Sequence, residues 1–430
     1  MYRHYVLALL ALSYGFSVMD RQIMSIVLEA LRLEFALSDT QLGFLSGLAF
    51  AVLYAVLAVP IARFADHHSR VNIIAIAVGI WSLVTAVCGA TQNFTQLLLA
   101  RVGVGVGEAG GTAPSHSLIS DYYSVNERSM AISVFSMGAT LGSLVGLLMG
   151  GFIVEHYGWR MVFVIAGLPG ILLAILFKLT VKEPPRGAFE SESENASTSG
   201  NFKDTLLSLW RNEVYRRVTI AHTTGAVVGY AIFSWLPTFY LRQFDLGQGA
   251  VGTIIGTMFF AAGAPGLLVG GYLSDRLGRL DERWRARIPG LALSAALPSY
   301  LMAFWTENQA IATLLFGLGV FCYQVSHGPG LAIVQIVVPP NARAQAAAMV
   351  FFFSNLVGLG MGPVLVGYVS DMNAVRYGDA SLSIALSSVM LLLLVAIIWY
   401  WRTVTSIQES IMRKGNENKE VTTNTPTSSP

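Results

Sequence analysis

Long runs of apolar residues alternate with short polar connections along most of the chain. About 20 consecutive helical residues cross a hydrocarbon core that is about 30 Å thick. Because the apolar runs reach this length, the pattern predicts an all-α membrane protein with twelve spanning helices, numbered here as spans 1 to 12 in chain order. Their predicted bounds are residues 5–31, 40–62, 71–90, 94–120, 130–154, 159–181, 217–241, 248–272, 288–306, 309–338, 344–370 and 380–401.

Two polar stretches interrupt this pattern and divide the chain. The longer one, between spans 6 and 7, contains S-E-S-E-N-A-S-T-S-G, a composition typical of flexible linkers. Apolar residues then recur at helical spacing between Phe202 and Trp210, which predicts an amphipathic helix in the cytoplasmic interface. The predicted units are a six-helix bundle at 1–182, a cytoplasmic linker with this helix at 183–213, a second six-helix bundle at 214–402 and a largely disordered cytoplasmic tail at 403–430.

Lysine and arginine are distributed unevenly between the two sides of the predicted membrane domain. The odd-numbered connections carry only Arg32, Arg160, Arg242 and Arg376, whereas the even-numbered connections and both termini carry most of the other basic residues. By the positive-inside rule, both termini face the cytoplasm. We expect an integral, multi-pass protein of a bacterial inner membrane, surrounded by membrane lipid and acting as a monomer.

Composition agrees with a membrane protein and argues against several other classes. Hydrophobic residues make up 54% of the chain and charged residues 12%, whereas soluble domains carry roughly 25% charged residues. A net charge of +2 gives no reason to expect a nucleic-acid partner. The sequence places no Ser/His/Asp set, paired-histidine motif or zinc-ligand cluster at membrane depth, so we predict neither an enzyme nor a cofactor or metal.

Four ionisable residues interrupt the apolar background at membrane depth. Asp20 and Arg21 lie near the middle of span 1, Glu108 lies near the middle of span 4, and Arg101 lies two helical turns earlier in span 4. A charged side chain at a helix centre costs roughly 2.5 to 3.5 kcal/mol unless it is paired or faces water. If spans 1 and 4 pack together, Arg101 can pair with Asp20 or Glu108 and relieve this cost.

These four residues suggest proton coupling. Burial favours a protonated carboxyl group and a nearby arginine favours the carboxylate, so the two effects oppose each other. Protonation would free the arginine to bind an anionic cargo group or to favour the other conformation. We predict Glu108 as the first choice of proton carrier and Asp20 as the second, with Arg101 and Arg21 as charge partners and anion-binding residues. The alternative is a permanent packing bridge that does not titrate.

The loops after spans 2 and 8 repeat one motif. The first reads A-R-F-A-D-H-H-S-R and the second G-Y-L-S-D-R-L-G-R, each with an aspartate fifth and an arginine ninth. A second match, N-E-R and N-A-R, follows spans 4 and 10. The chain therefore predicts two six-span repeats in parallel orientation. The repeated charged residues are Asp66, Arg70, Arg128, Asp275, Arg279 and Arg343.

The same motifs carry a resemblance to a known family. Both loops resemble the G-x-x-x-D-R-x-x-R signature of the major facilitator superfamily, although Ala62 and His67 replace its usual glycine and arginine in the first. The residues from Arg101 to Gly107 resemble its R-x-x-x-G-x-G element. The resemblance implies the major facilitator fold and alternating access, with the six charged loop residues forming a cytoplasmic gate when the inner side is closed. Alternatively, these six residues are topology charges only.

Three shorter motifs are similar to the spinster-like branch of that superfamily. They are Asp20-Arg21 in span 1, G-V-G-E-A at residues 105–109 followed by Pro114, and W-L-P-T-F at residues 235–239. This resemblance implies an amphipathic lipid cargo, either a lysophospholipid or a sphingoid phosphate.

Polar and aromatic residues near the span centres predict a cargo cavity. The second half has no Asp, Glu, Lys or Arg at a span centre, so an ionic wall would face an apolar and aromatic one. Such a cavity suits a cargo with a polar head and a hydrophobic tail. The predicted lining residues are Phe50, Tyr54, Tyr230, Trp235, Tyr323, Gln324, His327 and Asn355.

The sequence therefore favours a secondary transporter that moves an amphipathic lipid by alternating access, coupled to protons as a symporter or antiporter. Within transport, the alternatives are a carrier of small organic anions or sugar acids and a multidrug exporter. Outside transport, the alternatives are a membrane sensor and an intramembrane enzyme. We disfavour a sensor because the sequence shows no extramembrane domain that could carry its output.

Overall fold

Capping residues set where several of the helices begin. A side chain at the preceding position accepts a hydrogen bond from a first-turn backbone N–H, which would otherwise lack a partner. Ser38 and Gln41 form a reciprocal capping box at the start of span 2, where Ser38 Oγ accepts from the Gln41 N–H. Spans 3, 4, 7 and 10 also begin after a capping side chain that accepts a hydrogen bond from a first-turn N–H. These side chains belong to Ser69, Asn93, Asn212 and Asn308.

The computed structural model describes residues 1–186, 202–338 and 342–423, and the regular structure within them is helical. Spans 1 to 6 occupy Tyr2–Phe35, Asp39–Ala65, Arg70–Cys88, Phe94–Glu108 with Thr112–Tyr122, Val125–Tyr157 and Trp159–Thr180. Spans 7 to 12 occupy Glu213–Phe244, Gln248–Gly278, Trp284–Phe304, Gln309–Val337, Arg343–Phe353 with Ser354–Leu359 and Gly360–Tyr377, and Ser381–Met390 with Leu392–Thr423.

Within the described residues, nine helical stretches are long and apolar enough to cross a membrane. One of them, Gln345–Ile407, contains both span 11 and span 12. Two further crossings fall outside the nine, because span 4 is divided into two short helices and span 9 begins with arginines and contains two prolines. The helices thus form the predicted twelve-span arrangement, and an even number of crossings places both ends on one side.

Spans 1 and 5 pack so closely that their backbones touch at glycines. A Cβ atom on Gly142 would overlap the carbonyl group of Gly15, and one on Gly138 would overlap that of Ala11. Small residues permit this approach between membrane helices, where hydrophobic burial alone gives little drive to associate. The contact fixes the position of span 1, which carries two of the four ionisable residues.

The two halves meet at the side of the odd-numbered connections. Arg242 of span 7 donates to both carboxylate oxygens of Asp39, at 2.8 and 2.9 Å, and to Glu29 of span 1 at 2.8 Å. Asp371 of span 11 accepts from the backbone N–H groups of Asp39 and Thr40 at the start of span 2. The residues Glu29, Asp39, Arg242 and Asp371 are named here the outer ionic cluster. They join the two halves on this side.

The linker contains a helix at Phe202–Arg211, where the sequence predicts an amphipathic one. Leu209 is buried, and the ring of Trp210 lies 5.9 Å from that of Phe353 in span 11. The helix therefore packs against the second bundle. The predicted flexible stretch lies largely outside the described residues, which exclude 187–201.

The tail differs at its start from the disorder expected over residues 403–430. The last helix, which begins at Leu392, continues to Thr423. Val404 and Ile407 are buried, so the first turns beyond the predicted span still pack against other helices, and helical hydrogen bonding continues from them. Residues 424–430 lie outside the described residues.

Candidate functional site

Span 4 is broken at its centre. Its first helix ends at Glu108 and its second begins at Thr112, with Gly110 and Gly111 between them. The expectation of one helix over residues 94–120 is wrong, because adjacent glycines weaken a helix and the chain here turns through i to i+3 hydrogen bonds. Glu108 therefore lies at the carboxyl end of a helix in the middle of the membrane domain.

Asp20 forms an ion pair with Arg101. Arg101 Nη1 donates to Asp20 Oδ2 at 2.8 Å, and Thr85 Oγ1 of span 3 donates to Oδ1 at 2.8 Å. The side chains of Arg101 and Asp20 are 1% and 4% exposed. Because both carboxylate oxygens have a donor and water is excluded, this pair acts as an internal bridge between spans 1, 3 and 4.

Glu108 forms a separate ion pair with Arg21. Arg21 Nη2 donates to Glu108 Oε2 at 2.6 Å, and Ser17 Oγ donates to the same oxygen at 2.6 Å. The Arg21 guanidinium lies over the rings of Phe50 and Tyr54, 4.7 and 5.0 Å from their centroids. Cation–π contact stabilises a desolvated guanidinium, so span 2 also contributes to the site.

One oxygen of Glu108 lacks a hydrogen-bond donor. Among the described residues, Oε1 is buried and has no partner, while Oε2 accepts from Arg21 and Ser17. A buried acceptor without a partner costs about 1 to 3 kcal/mol. Oε1 is therefore the atom where a proton can add without displacing either donor from Oε2.

The four ionisable residues singled out by the sequence lie together, as two separate ion pairs. The partners Ser17 and Thr85 were missed by the sequence analysis. Ser17 lies one helical turn before Arg21, and this spacing was a usable signal. Thr85 gives no such signal, because it lies on a different span.

A cavity of about 580 Å³ lies between the two halves. It adjoins the Arg21–Glu108 ion pair, because its lining residues Tyr14 and Val18 lie on span 1 within one helical turn of Ser17 and Arg21. Tyr230 Oη also donates to Asn355 Oδ1 at 3.1 Å. Five of the predicted lining residues do line this cavity, namely Tyr230, Tyr323, Gln324, His327 and Asn355.

The other three predicted lining residues lie elsewhere. Trp235 is fully buried, and its indole N–H donates to the carbonyl oxygen of Pro363 at 2.9 Å, which joins spans 7 and 11. Phe50 and Tyr54 stack on each other and against Arg21. None of these three is among the described residues that line the cavity, because helical spacing does not fix which way a helix is rotated.

The cavity surface carries no fixed charge. Among the described residues that line it, none is Asp, Glu, Lys or Arg, and Arg21, at 13% exposure, is the most accessible of the four ionisable residues. The sequence predicts an ionic wall, but spans 1 and 4 pack so that each arginine is neutralised and covered. In the part of the chain that the structure describes, no group of three His, Cys, Asp or Glu side chains is placed to hold a metal.

The first half contributes lining residues that the sequence analysis missed. Ser136, Thr140 and Ser143 of span 5 line the cavity together with Tyr14 and Val18 of span 1. The three hydroxyl residues recur at helical spacing on one face of span 5, and this polar stripe was a usable signal.

The first repeated loop forms an ionic contact within its own half. Arg70, buried at the start of span 3, bonds to Asp121 in span 4, and its Nε donates to Glu183 after span 6 at 2.7 Å. Burial raises the pKa of the Glu183 carboxyl, but hydrogen bonds from the Val71 N–H, Arg70 and Ser69 outweigh it and hold that pKa below its usual value. The loop thus joins spans 3, 4 and 6.

The remaining predicted gate residues do not meet across the halves. Asp66, Asp275, Arg279 and Arg343 are exposed, and among the described residues their side chains form no ion pair or hydrogen bond. Arg128 donates to a carbonyl oxygen of span 4 in its own half at 3.0 Å. The outer side is closed while this inner gate is not formed, so the structure is inward-facing and the gate stays a prediction.

Sequence comparison relates the chain to membrane transporters. A family model described as Major Facilitator Superfamily matches residues 10–363. An "MFS-type efflux pump" of Mycolicibacterium smegmatis is 32% identical over 393 residues, which cover 91% of this chain and 90% of that protein. "Protein spinster homolog 1" of Xenopus tropicalis is 27% identical over 388 residues, which cover 86% of this chain and 74% of that protein.

A solved structure shares the fold over nearly the whole chain. It is the crystal structure of a bacterial homolog to the human lysosomal transporter spinster, in an inward-facing and unoccupied conformation. The TM-score is 0.86 at 29% identity, and the match covers 95% of this chain and 98% of that one. Its inward-facing state agrees with the closed outer ionic cluster described above.

Proposed function

The chain belongs to the major facilitator superfamily, and from this premise we propose that it is a proton-coupled secondary transporter of an amphipathic lipid. Membership of this family makes it a multi-pass membrane transporter and not an enzyme. The proposal adds the coupled ion, a proton, and the cargo class, a lysophospholipid or sphingoid phosphate. The bacterial relatives support an inner-membrane location, where we propose that it acts as a monomer.

The asymmetric environment of Glu108 is the observation that carries proton coupling. Oε2 accepts from Arg21 and Ser17, whereas Oε1 is buried without a donor in the part of the chain that is described. A proton at Oε1 neutralises the carboxylate and weakens its hold on Arg21 before either donor has moved. Asp20 is the weaker candidate, because both of its oxygens already accept hydrogen bonds.

Release of Arg21 links the proton to the cavity. In the inward-facing structure, Arg21 is held by Glu108 and by the rings of Phe50 and Tyr54. Once Glu108 is neutral, the guanidinium loses its ionic partner, and an unpaired buried charge is costly. The protonated protein is therefore stabilised by an anionic cargo group near Arg21 or by a state that admits water there. Either response makes proton binding and cargo binding depend on each other.

Alternating access requires the outer ionic cluster to open. Arg242 and Asp371 belong to the second half and bond to Glu29, Asp39 and Thr40 of the first, so these bonds break when the outer side opens. We propose that the loop aspartates then approach the opposite half at the inner side, where the loop arginines bridge neighbouring spans. The six residues of this inner gate are Asp66, Arg70, Arg128, Asp275, Arg279 and Arg343.

The two walls of the cavity support an amphipathic cargo. Phe233, Phe259 and Phe351 of the second half line the cavity together with the hydroxyl side chains of span 5. Such a surface offers apolar contact to an alkyl chain and hydrogen bonds to a head group. The motifs that resemble the spinster-like branch imply a lipid cargo, and the similarity to proteins named spinster supports that resemblance.

Uptake into proteoliposomes tests both parts of the proposal. A labelled lysophospholipid and a labelled sugar acid are offered to the reconstituted protein with and without an imposed proton gradient. We expect gradient-driven uptake of the lysophospholipid, with its pH dependence abolished in Glu108→Gln and retained in Glu307→Gln, which alters an exposed acid on an outer loop. An unchanged pH slope in Glu108→Gln would make the ion pair a permanent packing bridge. If only the sugar acid were taken up, the proposed lipid cargo would be wrong and the cargo would be a small organic acid.

Export of hydrophobic compounds is the second candidate function. The uncharged cavity surface and the similarity to the efflux pump of Mycolicibacterium smegmatis favour it. Everted membrane vesicles separate the two candidates: proton-driven accumulation of a hydrophobic dye that excess lysophospholipid does not inhibit would favour export.

A further inference from the structure

Two histidines face each other in the cavity wall of the second half. His222 lies on span 7 and His327 on span 10, with ring centroids 4.7 Å apart. Both line the cavity, and His222 is only 6% exposed. Among the described residues, neither ring forms a hydrogen bond. Because both imidazoles line the cavity and their nitrogens have no bond to the described residues, they are free to bond to a ligand there.

The groups around the pair supply no fixed charge. Among the described lining residues none is Asp, Glu, Lys or Arg, and the Arg21 guanidinium on span 1 is engaged by Glu108. The imidazoles are therefore the described lining groups that can become cationic by binding a proton. The titratable groups near the pair are tyrosines, namely Tyr230 on span 7, Tyr300 on span 9, Tyr323 on span 10 and Tyr400 on span 12.

We infer that His222 and His327 form a binding subsite for an acidic head group of the cargo, either a phosphate monoester or a carboxylate. An anion that leaves water for a cavity without fixed positive charge needs a cation beside it. An imidazole supplies that cation by taking a proton from water or from the acid itself, and the resulting imidazolium donates a hydrogen bond to the anion. Two imidazoles this close do not both charge readily, so the pair binds one proton.

The cavity of about 580 Å³ that both rings line supplies the space for such a group. A Cβ atom on Gly330 would lie 2.5 Å from the hydroxyl oxygen of Tyr400 and 3.6 Å from His222 Nδ1, so the Tyr400 hydroxyl occupies the place beside this glycine, next to the pair. Phe259 and Phe260 of span 8 line the same cavity and offer an apolar surface to a tail. The inference rests on the proposed function for its cargo class, but it does not depend on Glu108 as the proton carrier.

The subsite predicts a pH dependence of binding with a definite sign. If a bound anion stabilises a proton on the imidazole pair, protonation tightens anion binding by the same factor. A phosphate monoester loses charge as the pH falls through about 6, so its own titration would weaken binding in acid. Tighter binding in acid therefore reports on the protein and not on the probe.

Equilibrium binding to the full chain in lipid nanodiscs tests the subsite without any proton gradient. The probes are lysophosphatidic acid, which carries a phosphate monoester, lysophosphatidylcholine with the same tail, and the sugar acid galacturonate. We expect lysophosphatidic acid to bind roughly tenfold tighter at about pH 5.5 than at about pH 8, and lysophosphatidylcholine to show no such change. His222→Asn and His327→Gln should each remove most of the difference. His156→Gln, at the exposed outer end of span 5, should keep it.

The outcomes separate this inference from the proposed function. Unchanged pH dependence in both histidine variants, with thermal unfolding like that of the parent, would overturn the subsite. Loss of the pH dependence in Glu108→Gln but not in the histidine variants would assign it to Arg21 and also overturn the subsite. If Glu108→Gln loses gradient-driven uptake but keeps acid-tightened binding, both proposals stand. Histidine-dependent binding of galacturonate without binding of either lipid keeps the subsite and rejects the lipid cargo.

Discussion

Asp20 and Glu108 are both paired with arginine inside the membrane, yet their hydrogen bonding differs. Asp20 accepts bonds at both oxygens, whereas Glu108 has one oxygen without a donor among the described residues. A carboxylate bonded at both oxygens is well matched to staying charged, while a vacant oxygen leaves a position for a proton. This difference at one atom supports a bridging role for the first residue and a carrier role for the second.

Glu183 gives a prediction at a single residue outside the membrane. Burial raises its pKa, but the bonds from the Val71 N–H, Arg70 and Ser69 lower it further, so the folded pKa lies below the unfolded value. Its stabilising contribution is therefore present above the unfolded pKa and is lost as the pH falls through the folded pKa. Because the side chain is partly exposed, we expect Glu183→Gln to lower the free energy of unfolding by only about 1 kcal/mol at neutral pH.

Thermal unfolding in detergent at about pH 7 and about pH 4 measures this contribution, which should shrink at the lower pH. Glu282→Gln, which alters an exposed acid between spans 8 and 9, is the matched control and should have little effect at either pH. If Glu183→Gln loses the same stability at both pH values, the contribution of Glu183 to stability comes from packing and not from its charge.

The sequence identified the ionisable residues but not their partners. Charges are conspicuous within apolar runs, so Asp20, Arg21, Arg101 and Glu108 could be located without a structure. Which arginine pairs with which acid depends on how spans 1 and 4 are rotated and on where span 4 breaks. The spacing of residues along the sequence determines neither the rotation nor the break. The misplacement of Trp235 has the same cause.

At the scale of elements, spans 2 and 11 depart from plain helices at matching places. Each contains a π-helical turn, at Phe44–Leu48 and Ser354–Leu359, where the two halves face each other. A Cβ on Gly47 would lie 2.7 Å from the Leu359 carbonyl oxygen. A π-helical turn holds an extra residue and rotates the helix beyond it, and Asn355, a cavity-lining residue, lies in one. Hydrophobic periodicity does not reveal one inserted residue, so the sequence predicted regular helices here.

Gly107 gives a prediction about the broken helix of span 4. A Cβ there would lie 2.8 Å from the backbone nitrogen of Trp81 in span 3, and a backbone atom cannot rotate away. We expect Gly107→Ala to lower the free energy of unfolding by about 1 to 3 kcal/mol. Because Glu108 follows Gly107 directly in the chain, the substitution should also displace Glu108. We therefore expect the proton-coupled uptake by the Gly107→Ala variant to fall.

Thermal unfolding and proteoliposome uptake measure the two effects of Gly107→Ala. Gly79→Ala is the control, since its Cβ would meet only Ala174 Cβ at an ordinary 3.7 Å. If Gly107→Ala unfolds at the parent temperature, spans 3 and 4 can separate at little cost and the close approach does not position Glu108.

At the scale of the whole molecule, the twelve spans and the two halves could be predicted because they rest on local features. Apolar run lengths define the spans, and the repeated loops define the halves. The inward-facing arrangement could not be predicted, because the same residues serve both states and only their contacts change. The outer ionic cluster was missed for this reason, since its members are far apart in the chain and lie at span ends, where charges are ordinary.

Arg242 gives a prediction about the balance between states. Arg242→Gln removes the ion pairs with Asp39 and Glu29 and leaves the buried Asp39 carboxylate without an ion-pair partner among the described residues, whereas Glu29 keeps its ion pair with Arg32. Because this penalty falls on the closed state, we expect the outward-open population to rise about tenfold or more. Distances between spin labels at Tyr157 and Glu307, on exposed outer positions of the two halves, measure the change after the two native cysteines are replaced.

Arg276→Gln is the control for Arg242, because Arg276 is exposed and, among the described residues, its side chain donates a hydrogen bond only to Tyr272 on its own helix. Its distance distribution should match that of the parent. If Arg242→Gln also leaves the outer distances unchanged, backbone contact between the halves holds the outer side closed and the cluster does not.

The ion pairs lie behind the cavity lining rather than within it. The residues proposed to couple transport to the proton are therefore separate from those that would select the cargo. Substitutions on the inner faces of spans 5, 7, 8 and 10 can retune what is carried without touching the groups proposed to harness the proton. Related transporters with this arrangement can therefore acquire a different cargo through substitutions at a few cavity-lining residues, while the proposed coupling to protons is retained.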